Sequence, residues 1–151
     1  MKTKIIKKYT YEGLGFPIEL TNVEMVYISG EYHAKIDVRT IAEQVMRLLP
    51  FQEERLTGSQ IKFIRSYFAM SLRKFAKEVV KESHMAVAKW EKFGHHPTNM
   101  DVNTEIMLRL YIFETICVKT AKEKKLFFDN YQLIKDTPLL RKLPKISLMA
   151  A

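Results

Sequence analysis

The segment SHMAVAKWE, Ser83 to Glu91, sets a capping hydroxyl, small side chains and hydrogen-bond donors in an order that suits the reading of base edges. Ser83 is an N-cap by type, and the helix it starts turns Val87 and Trp90 inward. His84, Met85, Ala86, Ala88 and Lys89 are left on or near the outer face of the first two turns. Ala86 and Ala88 are small enough for the helix backbone to enter a major groove. Lys89 and His84 can donate to guanine or to phosphate, and Met85 can press on a thymine methyl.

Such a helix works only if other elements hold it. Ser59 is expected to cap a first helix with Ile61, Ile64 and Phe68 on one stripe, ending at Met70-Ser71. Ser71 caps a second, which buries Leu72, Phe75, Ala76 and Val79 and turns Arg73, Lys74 and Lys77 outward. Free amides near Ser71, with Arg73 and Lys74, suit a phosphate. The link to Ser83, Val80-Lys81-Glu82, has no glycine where a left-handed residue is often needed.

Ile64-Arg65, Ser71 with Phe75-Ala76, and Trp90-Glu91 together resemble the helix-turn-helix of the Xre (Cro/cI-type) family. The flanks YEGLGFPIELTNV, LTGSQIKFIRSYF and PTNMDVNTEIMLRLYI are similar to longer Xre-type antitoxins of toxin-antitoxin operons, including the helix-turn-helix half of MqsA-like proteins. The resemblance implies DNA binding and a salt bridge from Glu91 to Arg65. It has two departures. Leu72 stands where the family often has a phosphate-binding glutamine, so that Arg73 or Lys74 would replace it, and the stretch from Phe75 to Ser83 is one residue longer than usual. An MqsA-like zinc module needs four cysteines, and Cys117 is the single cysteine, which excludes that module.

Outside the central unit, residues 1–36 alternate β-branched or aromatic with polar residues, and Ser29-Gly30 marks a tight hairpin. Asp37 caps a helix with Ile41, Val45, Leu48 and Leu49 on its stripe, stopped by Pro50. After the loop KFGHHPTNMD, a long helix from Asp101 to about Lys125 carries Ile106, Leu110, Phe113 and Cys117, widened by Leu108, Ile112 and Ile116. A face so wide suggests a dimer contact or a second core. The expected fold is mainly α with a small N-terminal antiparallel β element, built on a lambda repressor-like helix-turn-helix bundle. Its expected parts are a partner-binding hairpin and helix over 1–50, a DNA-binding domain over 51–127 and a tail over 128–151.

Bulk properties agree with this division of labour. The chain has 151 residues, 47% of them hydrophobic, and 25 lysines and arginines against 17 acids give a net charge of +8. That balance favours a polyanionic partner. A single cysteine suits a reducing cytoplasm, and no signal peptide or apolar membrane span is legible. No catalytic constellation is present, and neither a metal nor a cofactor is expected. His95-His96 reads as a solvated loop, Lys119 to Lys125 as a solvated helix end, and Lys2, Lys4, Lys7 and Lys8 receive no assigned contact. The expected role is a cytoplasmic, homodimeric repressor that binds an inverted-repeat operator on double-stranded DNA and neutralises a small toxin as the antitoxin of a type II pair. The alternatives are a stand-alone or phage-type regulator, and an interaction adaptor with a vestigial helix-turn-helix.

Overall fold

β-Branched and aromatic residues at period two build the N-terminal part of the chain, up to Ala34. In the computed structural model, which describes residues 2–116, 125 and 145–147, they form β1 (Thr3–Tyr11), β2 (Ile18–Ile28) and β3 (Glu31–Ala34). β2 pairs antiparallel with both neighbours. A fourth strand, β4 (Lys145–Ser147), runs parallel to β2 over Glu19–Thr21. Ser29 and Gly30, with φ of 51° and 91°, make the two-residue turn between Ile28 and Glu31. Both left-handed residues match the twist of the strands they join.

β2 contains a phase change. Ile18 and Leu20 are fully buried, Asn22 takes the left-handed conformation with φ of 56°, and burial resumes at Val23 and Met25. The register with β1 is the same on both sides of Asn22. The strand therefore buries one face in its first half and the opposite face in its second. Asparagine is among the few side chains that adopt this conformation readily.

The helical part begins with α1 (Val38–Leu48), followed by a 3-10 turn (Leu49–Phe51). Asp37 caps α1: its carboxylate accepts the Arg39 amide at 3.1 Å and the Thr40 hydroxyl at 2.9 Å. These bonds, the Thr40 hydroxyl first, hold the carboxyl below its ordinary pKa of 3.8. Next come α2 (Gly58–Tyr67), α3 (Leu72–Phe75) running directly into a π-helical turn (Ala76–Val80), α4 (His84–Glu91) and α5 (Val102–Ile116). The described residues divide into two compact units between Val45 and Met46, with all four strands in the first.

This architecture corrects the mainly α expectation. β2 is eleven residues long and pairs with three other strands, so the sheet is a layer with its own core of Phe16, Ile18, Leu20 and Val23. The chain is an α+β fold. A lambda repressor-like bundle with a minor β element does not describe it.

The stripe expected on α5 is occupied within its own unit. Ile106, Leu108, Ile112 and Phe113 are buried, and Leu110 and Ile116 partly so. The same helix buries Glu105 and Arg109 completely. Arg109 Nη2 donates to Glu105 Oε2 at 2.7 Å and to the Glu54 carbonyl, while Nη1 donates to the Leu49 and Gln52 carbonyls. Arg55 Nε donates to Glu105 Oε1 at 2.8 Å, and Arg55 also reaches the Met100 carbonyl. Burial pulls the Arg109 guanidinium below its ordinary pKa, and the Glu105 carboxylate opposes that pull. Cys117 and residues 119–124 lie outside the described residues.

Candidate nucleic-acid interface

α4 is short, so its position is dictated by what grips its ends. Ser83 caps it, accepting the Ala86 amide at 3.1 Å. Val87 and Trp90 are buried, as the helical period requires. Glu91, on the last turn, accepts two bonds from Arg65 on α2, Nε to Oε2 at 2.7 Å and Nη2 to Oε1 at 3.0 Å. The Glu91 carboxylate raises the Arg65 pKa chiefly through these bonds. Arg65 Nη1 also donates to the Met70 carbonyl, which ties the corner before α3 to the same pair.

The second grip is made by main chain. Gly58 opens α2 so close to the end of α4 that a Cβ there would lie 2.4 Å from the Trp90 carbonyl oxygen and 2.7 Å from the Gly94 amide. After α4 the chain turns at Gly94, with φ of 61°, and its carbonyls accept from the first amides of α2, Ser59 to Gly94 at 2.8 Å and Gly58 to His96 at 3.3 Å. The N-cap of α2 is Thr57 rather than the expected Ser59. Thr57 forms a capping box with Gln60, and the Ser59 hydroxyl instead lies 3.2 Å from His95 Nδ1.

α3 presents the companion surface. Ser71 accepts the Lys74 amide at 3.1 Å, and Phe75, Ala76, Val79 and Val80 are buried. Arg73, Lys74 and Lys77 are exposed, and none has an ion-pair partner among the described residues. Between Phe75 and Ser83 the chain makes a π-helical turn, Ala76–Val80, which ends at Lys81 in the left-handed conformation with φ of 57°. A lysine thus fills the place for which glycine is the usual choice. Leu72 is half-buried, so it does not stand free on this surface.

On the outer side of α4, Met85 keeps 63% of its surface exposed, Ser83 and Lys89 are exposed, and His84, Ala86 and Ala88 are half-buried. Met85, Ala86 and Lys89 line a hollow of about 650 Å³ whose further wall includes Lys92, Phe93 and Asn99. Lys92 and Asn99 were not singled out from sequence. Their types are common on solvated loops, and only the turn at Gly94 carries Asn99 back beside α4.

Comparison with family models, with curated proteins and with solved structures returned no match. The chemistry of the site is that of α3, the π-helical turn and α4. It offers cations, a thioether, small side chains and amide donors. Among the described residues, no group of three His, Cys, Asp or Glu could hold a metal ion, and no helix is long and apolar enough to cross a membrane.

Proposed function

We propose that the chain is a sequence-specific, double-stranded-DNA-binding regulator whose α4 reads the major groove while α3 rests on the phosphate backbone. One observation carries this reading. α4 is fixed along its inner side by Val87, Trp90, Glu91 and the Gly58 approach, while Met85 and Lys89 are exposed on it, and the neighbouring α3 and π-helical turn carry Arg73, Lys74 and Lys77, exposed and without an ion-pair partner among the described residues. An anchored rod with a donor-bearing free side is what base readout requires, and unpaired cations beside it supply the sequence-independent attraction. In this reading the protein is a cytoplasmic homodimer on an inverted repeat, it performs no catalytic step, and it resembles the Xre family in mode of binding.

The test is selection of binding sequences from a randomised duplex library, followed by titration of the enriched duplex. Lys89→Ala is expected to weaken the enriched site by about 1–3 kcal/mol while leaving random duplex nearly unchanged. If no sequence is enriched, or if Lys89→Ala weakens every duplex alike, α4 does not read bases. The antitoxin role rests on the flanking likeness alone. It predicts a stoichiometric complex when the chain is co-expressed with the neighbouring reading frame, and a chain that purifies alone would leave a stand-alone regulator.

A further inference from the structure

β1 is the outer strand of its sheet. β2 pairs it on one side, and among the described residues no strand pairs the other. One hydrogen bond decides which groups face that open side. The Tyr27 amide donates to the Lys2 carbonyl at 3.0 Å, so the antiparallel alternation turns the main-chain groups of even-numbered β1 residues toward β2 and those of Thr3, Ile5 and Lys7 outward. All three side chains are exposed, Ile5 to 56%.

Edges are normally blunted by brevity, a bulge, a proline or a cover. β1 is nine residues long, contains no proline and keeps the same register with β2 on both sides of Lys7, which lies opposite the left-handed Asn22. Its remaining safeguard is lysine, and no acidic residue precedes Glu12. Lys4 is engaged, with Nζ 4.1 Å from the centroid of the Tyr32 ring. Lys7 and Lys8 are exposed without an ion-pair partner among the described residues, and their side chains leave opposite faces of the strand. A second copy of β1 laid along this edge would bring lysines against lysines, which disfavours self-pairing.

We propose that the open edge of β1 takes an extended, acidic segment of another protein as an added strand. The outward amides and carbonyls of Thr3, Ile5 and Lys7 would form the ladder, and two consecutive carboxylates of the incoming strand, one on each face, would answer Lys7 and Lys8. The surface belongs to the first compact unit, and the inference stands whether or not α4 enters DNA.

The probe is an eight-residue peptide of valine and threonine with two consecutive central glutamates, titrated into the full chain beside its lysine-for-glutamate counterpart. Amide exchange is the readout. The acidic peptide is expected to slow exchange of the Ile5 and Lys7 amides about tenfold and the basic one to leave them unchanged. The double variant Lys7→Glu, Lys8→Glu should bind the acidic peptide about tenfold more weakly with an unaltered melting temperature. The proposal is overturned if these amides stay unprotected at millimolar peptide, if both peptides protect equally, or if a DNA duplex or self-association protects them in place of the acidic peptide.

Discussion

Arg109 and Lys89 are cations on two helices of the same compact unit, and their surroundings are opposite. The Arg109 guanidinium is fully buried, paired with Glu105 and bonded to three main-chain carbonyls, whereas Lys89 stands exposed at the edge of an open hollow. A charge withdrawn from water costs several kcal/mol unless each of its donors finds an acceptor, so Arg109 is tolerable only because its neighbours satisfy it. Nothing in the fold demands Lys89 or the α3 cations. Arg65 lies between the extremes, partly buried and committed to Glu91. In this unit the charge that supports the fold is paired, while Arg73 and Lys74 on α3, Lys77 on the π-helical turn and Lys89 on α4 are exposed without an ion-pair partner among the described residues.

The comparison can be broken most sharply at Glu105. Glu105→Ala removes the hydrogen-bonded counter-charge of Arg109 and Arg55 and is expected to cost roughly 3–5 kcal/mol of unfolding free energy in urea. A loss near zero would mean that Arg109 escapes to water. Gly58→Ala drives a methyl into the Trp90 and Gly94 main chain and should cost about 1–3 kcal/mol, with weaker binding of an enriched duplex. Unchanged melting would show that the α2–α4 approach is loose. At the free end, Arg73→Ala and Lys77→Ala should each move stability by no more than about 0.5 kcal/mol while lowering the salt slope of DNA binding by about one. Either variant unfolding the protein would erase the distinction between the two groups of cations.

The smallest effect is acid dependence at the cap of α1. Because the Asp37 pKa is lowered on folding, its contribution is complete above its unfolded value, near 3.8, and vanishes as pH falls through the depressed native value. Asp37→Asn should flatten that part of the stability curve in acid. An identical acid limb in both proteins would remove the cap from the account.

Much of the candidate surface was legible because it depends on local rules. Ser71 and Ser83 are capping residues by type, and the 3.6-residue period alone assigns Val87 and Trp90 inward and Met85 and Lys89 outward. Apart from the Arg65–Glu91 pair, which the resemblance implied, long-range partners were not legible. Glu105 and Arg109 sit within an apolar stripe, and the groups that satisfy them come from residues 49–56, far away in sequence. Gly58 reads as loop punctuation until the end of α4 is placed against it. The shift from Ile18 and Leu20 to Val23 and Met25 was a visible signal that β2 changes its buried face at Asn22. The mainly α expectation failed because it took residues 1–36 as a small antiparallel element, while β2 is eleven residues long and gathers three partners, one of them from residues 145–147.

The closeness of Gly58 to the Trp90 carbonyl has a practical consequence for redesign. Main-chain atoms, with the inward Val87, Trp90 and Glu91, set the seat of α4, and all of these survive an exchange of its projecting side chains. New residues at 84, 85 and 89 could therefore be screened as interchangeable reading heads on an unchanged mount. An altered target preference among such variants would then be attributable to the new side chains and not to a tilted helix.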